Sequence, residues 1–169
     1  MENKDYIEKE QFVPDYPLQL NIKGINKLNE QMTKSICKIY INRQREGTGF
    51  FCTFLYEKKT IKALCTNNHV IGEKELKDNI KFSLNDKKEF YEIKLDNSRK
   101  IFTDKSLDVT IIELNEYETK EMNCNYLELD DDLSKEKKFL PVLYENKPIY
   151  ILHYPKGNEI YHLLEKFIK

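Results

Sequence analysis

Leu64-Cys65-Thr66-Asn67-Asn68-His69-Val70-Ile71 places a histidine just past the end of an apolar run and behind two asparagines. Thr60 to Cys65 is the return arm of a hairpin. Its outgoing arm is the strongly apolar Phe50–Tyr56, and Glu57-Lys58-Lys59 makes the turn, so the hairpin delivers His69 at its far end. Upstream, the polar run from Arg43 to Gly47 ends in glycine and reads as a turn. Before it, Ile36, Lys38 and Tyr40 alternate with Cys37, Ile39 and Ile41, the period of a strand. Ile25, Leu28 and Met32 stand at helical spacing and predict a short amphipathic helix. Residues 1–23, with Pro14 and Pro17, form an extended polar arm.

Downstream, Gly72 and the charged run Glu73 to Asp78 predict a loop or a short helical turn. Ile80, Phe82 and Leu84 alternate with polar residues in a further strand, Asn85–Lys88 turns it, and Phe90–Leu95 follows as the next. Val109–Leu114 reads as a fifth and buried strand. Strands this short and this regularly spaced predict an all-β sandwich or small barrel. Asn115 to Lys138 alternates acidic and basic residues, includes Asp130-Asp131-Asp132, and reads as a connector. Lys147–Tyr154 is again a strand, closed by Pro155-Lys156-Gly157. Ile160, Leu163, Leu164, Phe167 and Ile168 then follow helical spacing, with Asn158 placed to cap a terminal helix.

The totals narrow the function classes. The 169 residues suffice for one ordinary domain with a real core. With 28 basic against 29 acidic residues the net charge is -1, so no single-sign field favours nucleic acid or an anionic membrane as partner. Met1–Glu10 carries no apolar h-region, and no run approaches the roughly 18 apolar residues of a membrane span; the expected compartment is the cytoplasm. Cys37, Cys52, Cys65 and Cys124 show no CxxC spacing and read as buried free thiols. Cys52 and Cys65, on the two arms of one hairpin, are the pair that could meet. His153 and His162 share no ligand spacing with each other or with a cysteine pair, and the Asp130–Asp132 run lacks the spacing of a calcium loop, so no metal and no cofactor are expected.

The residues that carry chemistry are His69 and Asp108. Acyl transfer by a serine nucleophile needs a histidine to take its proton, a carboxylate to fix the histidine tautomer and stabilise its cation, and N–H groups to meet the oxyanion. TNNHVI after a strand resembles the histidine motif of the trypsin-like serine peptidase family, in particular its stress-protease and intracellular branch. Gly47-Thr48-Gly49-Phe50-Phe51 resembles the glycine-bearing strand that packs before it. Asp108-Val109-Thr110-Ile111-Ile112-Glu113-Leu114 resembles the strand headed by the catalytic aspartate. Tyr150 to Gly157 resembles the glycine-proline turn early in the second barrel. The four matches fall in the family's order and span about three-quarters of the chain. The resemblance implies His69 as general base and Asp108 as the carboxylate that orients it. It implies a first trypsin-like β-barrel over 24–114, a connector over 115–140, and the start of an incomplete second barrel with the terminal helix over 141–169.

The departure from the family is the nucleophile. No Gly-x-Ser-Gly motif occurs, no serine follows Ser134, and Ser35, Ser83, Ser98 and Ser106 all precede Asp108. Cys124 follows His69 and Asp108 in order, but Met122-Asn123-Cys124-Asn125 lacks the glycine of an oxyanion turn and lies in the connector. The expectation is a fragment or degenerate member of the family, inactive by itself, whose partner is a polypeptide substrate or a protein. A pseudoprotease that binds a protein without cleaving it is the alternative, and open strand edges invite a second copy of the chain. For His69 the bland reading is a satisfied histidine at a strand end, and for Asp108 a carboxylate capping a strand start. In an unrelated β-domain these two side chains would lie far apart. Asp104 is the rival carboxylate, expected in the preceding loop.

Overall fold

The computed structural model describes residues 21–41, 45–85, 89–129, 148–154 and 161–166. Asn21 opens the described chain by accepting a hydrogen bond from the Gly24 N–H at 2.8 Å, which caps α1 (Ile22–Lys34). Ser35 ends the helix, and the chain turns directly into β1 (Ile36–Ile41). β2 (Arg45–Tyr56) and β3 (Lys59–Thr66) form the long hairpin, with Glu57 and Lys58 at positive φ in its turn. A single 3-10 turn at Glu75–Lys77 leads to β4 (Ile80–Leu84) and β5 (Tyr91–Ile93). β6 (Ile101–Asp104) and β7 (Val109–Glu113) make the next hairpin.

These strands form one antiparallel sheet in the order β5-β4-β1-β2-β3-β7-β6. Ile93 near one end of that order and Ile112 near the other belong to the same buried cluster, with Ile39, Phe51, Leu64 and Phe82 between them. The sheet therefore coils round its own core, although no ladder closes β5 onto β6. Its inner face is apolar because every second residue of each strand faces it. Phe51 and Phe82 meet edge-on at 5.5 Å, and Tyr91 stacks on Phe82. Gly49 is required here: a Cβ on it would lie 2.7 Å from Ile39 Cδ1 and 2.9 Å from Leu64 Cδ1.

Several expectations change in the structure. The turn before β2 is shorter than Arg43–Gly47, since Arg45 already pairs with Ile41. Ile101–Asp104 is a strand, so Asp104 ends β6 rather than lying in a loop. The stretch read as a connector holds α2 (Glu116–Glu121) and β8 (Leu127–Glu128), which runs parallel to β2 opposite Cys52 and Thr53. The expected terminal helix is not formed over β10 (Tyr161–Lys166), which pairs antiparallel with β9 (Pro148–His153). Its apolar spacing suited a helix, but the free edge of β9 offers a ladder, and that long-range pairing wins over local periodicity. The N-terminal arm up to residue 20, the Asp130–Asp132 run and Ser134 lie outside the described residues. No helix among the described residues is long and apolar enough to cross a membrane.

α2 is fixed to the sheet by a buried ion pair. Arg99 donates from Nη1 to Glu118 Oε2 at 2.9 Å and from Nη2 to Oε1 at 2.8 Å, and also donates to the Glu113 carbonyl. Glu118 also closes a capping box with Asn115 at the start of the helix. Both side chains are more than nine-tenths buried, so removing one leaves the other charge uncompensated. We expect Arg99→Met to lower the unfolding free energy by about 3–5 kcal/mol. Urea denaturation would read this as a fall in midpoint at unchanged slope.

Candidate functional site

His69 sits in a turn that β3 delivers. Beyond Thr66, the Asn67 carbonyl accepts from the N–H groups of Val70 and Ile71, both at 3.1 Å, which curls residues 67–71 into one helical turn. Val70 and Ile71 are buried and anchor it, so His69 is thrown outward. Gly47 makes room for that anchor, because a Cβ there would stand 2.4 Å from Val70 Cγ1. Thr66 Oγ donates to the Thr48 carbonyl at 2.7 Å, and the Thr48 hydroxyl accepts from the Tyr154 N–H at 2.9 Å at the end of β9. The Gly47-Thr48-Gly49 segment thus joins the histidine turn to β9.

Asp108 sits at the other side of the site, at the end of the β6–β7 turn. The Asp104 carboxylate organises that turn by accepting from the Ser106 N–H, the Ser106 hydroxyl and the Leu107 N–H. These bonds hold the Asp104 carboxyl below its ordinary range, the Ser106 hydroxyl first among them. Asp108 itself has φ of +50°, the left-handed region that side chains with a short polar group tolerate best.

The two residues meet. Asp108 Oδ1 accepts from the backbone N–H of His69 at 2.9 Å, and Oδ2 lies 2.7 Å from His69 Nδ1. Asn67 Nδ2 donates to both Asp108 Oδ2 and the Asp108 carbonyl at 3.2 Å. The His69 backbone bond first, then its ring bond and charge, and last the Asn67 amide hold the Asp108 carboxyl below its ordinary value. An ionised carboxylate only accepts, so Nδ1 carries the ring proton and Nε2 is the basic nitrogen of the neutral ring. The His69 side chain is 70% exposed and that of Asp108 45%, so water screens the pair and its contribution to stability is small.

A second layer fixes the turn from beneath. Asn68 Nδ2 donates to Thr103 Oγ, Thr103 and Thr110 share a hydroxyl bond, and Thr110 Oγ donates to the Ile71 carbonyl, each at 2.7 Å. The chain joins the histidine turn to β6 and β7. Asn67, Asn68, Thr103 and Thr110 were given no role from the sequence. The only signal for them was the pair of asparagines before His69 and one threonine on each arm of the later hairpin.

The structure brings His69 and Asp108 together and assigns other tasks to the serines it describes. Ser35 is buried beside the end of α1, and Ser83 bonds the Tyr40 hydroxyl at 3.0 Å. Ser98 and Ser106 bond the Asp96 and Asp104 carboxylates in tight turns. Burial pushes the Cys124 thiol up, which disfavours the thiolate a nucleophile needs. A cleft of about 600 Å³ lies at the other end of β3, lined by Thr60, Lys62, Arg99, Glu116 and Thr119. Among the described residues, no group of three or more His, Cys, Asp or Glu is gathered to hold a metal.

Comparison with protein-family models, with curated proteins and with solved structures found no match.

The Asp108 carboxylate should titrate below 3.8, its ordinary value. A depressed value means that the pairing stabilises the fold above the ordinary pKa and is lost as the pH falls through the depressed one. Carboxyl-carbon NMR across the acid range should show the midpoint rising toward the ordinary value in His69→Ala. It should rise by less in Asn67→Ala, since the amide contributes least. A midpoint unmoved in His69→Ala would contradict the pairing.

Proposed function

We propose that this chain carries the general-base half of a trypsin-like serine endopeptidase, with His69 as base and Asp108 as the carboxylate that orients it. The observation that carries the reading is the double hold of one carboxylate on His69, through Nδ1 at 2.7 Å and through the backbone N–H at 2.9 Å. This fixes the ring in the tautomer that leaves Nε2 to receive a proton, and it places a negative charge where the imidazolium would form. The order along the chain, with histidine after one hairpin and aspartate at the head of a later strand, agrees with the family's. So does the coiled antiparallel sheet beneath both, read as the family's first barrel. An unrelated β-domain would give these two side chains no reason to meet.

In the reaction this implies, a hydroxyl nucleophile gives its proton to His69 Nε2 as its oxygen attacks the scissile carbonyl. Asp108 then stabilises the cation formed on the ring. Within the 169 residues no glycine-flanked serine is present to be that nucleophile. The described serines are engaged in the turns and core contacts given above. In this reading the chain by itself binds little substrate and cleaves none, and a serine and an oxyanion loop have to come from elsewhere for cleavage.

A second reading is a protein-binding module without catalysis. It is favoured by Phe102 and Leu107, which are exposed on the edge strand β6 and the turn beside Asp108. An edge strand with apolar side chains is a template for an extended peptide.

Two measurements test the proposal. A fluorophosphonate probe should leave no adduct on the folded chain by intact mass, and casein should remain uncut; an adduct on any serine would show a working nucleophile and overturn the incomplete-site reading. Nitrogen NMR of the neutral His69 ring should show the proton on Nδ1, and Asp108→Ala should lose that preference. A ring protonated on Nε2 in the unaltered chain would remove the general-base assignment.

A further inference from the structure

Cys52 and Cys65 form a close pair of thiols on the two arms of the β2–β3 hairpin. Cys52 pairs across the hairpin with Ala63, and Cys65 with Phe50, so the two cysteines are diagonal neighbours on one face of the sheet. Their sulfurs are 3.2 Å apart. Both are free thiols, with Cys52 fully buried and Cys65 nearly so. They belong to a small apolar cluster with Ile61 and Ala63, separate from the main core and covered by Phe54, Ile111 and Leu127. β8 pairs with β2 at Cys52 and Thr53. A disulfide bond is about 2.05 Å long, so an approach of about 1 Å joins the sulfurs.

We propose that Cys52 and Cys65 are a redox-modification site at which a peroxide converts the two thiols to a disulfide. In the first step a cysteine sulfur attacks the peroxide oxygen, an S–O bond forms, the O–O bond breaks and water leaves, giving a sulfenic acid. In the second step the other sulfur attacks the sulfenic sulfur, the S–S bond forms, the S–O bond breaks and a second water leaves. Two thiols lose two electrons and two protons, and hydrogen peroxide is reduced to two waters. The burial of the pair favours an oxidant this small. Either sulfur can donate in the hydrogen bond the two share; with Cys65 as donor the Cys52 thiolate is favoured, which suits the first step at Cys52, while that same bond and then burial push the Cys65 thiol up. Cys37 is fully buried in the main core and its thiol is pushed far up, and Cys124 lies on the segment after α2. The link closes directly before Thr66, whose hydroxyl holds β3 to the Thr48 carbonyl, and four residues before His69. Oxidation therefore acts on the strand that positions the histidine turn. The inference stands on the thiol pair alone and does not depend on the peptidase reading.

The test uses the full chain, reduced, desalted and treated with hydrogen peroxide under native conditions. The remaining thiols are then alkylated and the protein is mapped by mass spectrometry. We expect the loss of two hydrogens, a single Cys52–Cys65 link, alkylation of Cys37 and Cys124, and full reversal by dithiothreitol. In Cys65→Ser, dimedone should trap a sulfenic acid on Cys52. A link through Cys37 or Cys124, a sulfinic acid on Cys52 without a link, or four alkylated thiols after treatment would each overturn the proposal. These readings come from the unaltered chain, so the outcome does not depend on the variant folding.

Discussion

One carboxylate holds two distant turns together. Asp108 closes the β6–β7 turn, and its two oxygens reach across to the ring and the backbone of His69 at the end of β3. The register of β3 with β7 makes this reach available, since Thr66 pairs with Thr110 and sets the two turns side by side. The register follows in turn from the alternation of the two strands, because a slip of one residue would send Leu64 and Ile112 to the wrong face. The site thus depends on the core pattern of the sheet rather than on the loops alone.

The glycines of β2 belong to the same constraint. The chain must run close under the histidine turn, and a side chain at Gly47 would occupy the place of Val70, the residue that anchors the turn. At Gly49 the crowding comes from the core, through Ile39, Leu64 and Cys37. A strand gives up packing and backbone entropy at each glycine. Here both positions admit a neighbour that a larger residue would exclude, which is why they stand on the strand beside His69.

The sequence made the central part of this fold legible because its signals are local. The Phe50–Cys65 hairpin announces itself by apolar runs about a charged turn, and β1 and β4 by their alternation. His69 and Asp108 were legible as a pair only through their order and their flanking strands, not through any local rule. The missed elements failed for separate reasons. β6 has four residues, too few for periodicity to speak. The Asn115 to Glu118 capping box was present, but the charged stretch around it concealed the short α2. At Tyr161–Lys166 the spacing of apolar residues favoured a helix, while pairing with β9, which no local window contains, decided for strand. The roles of Asn67 and Asn68 escaped because an amide in a turn carries no signal until its acceptor, 41 residues away for Asn67 and 35 for Asn68, is in place.

Stability does not explain why Asp108 is built as it is. The pair it makes with His69 is open to water and screened, and pairs of this kind contribute little to folding. Its backbone is held at positive φ, a conformation an L residue adopts at a cost. Asn67 spends its amide on the same carboxylate and carbonyl, and Asn68 heads a chain of three hydrogen bonds that fixes the turn below. Buried groups that serve folding alone look like Arg99 and Glu118, which are enclosed, bidentate and tied to a helix cap. The His69–Asp108 pair has the opposite character: costly to orient, weak as a tie, and turned toward solvent. Strain and polar bonds invested in an exposed pair are features of functional sites, where orientation of the group matters more than the free energy it contributes.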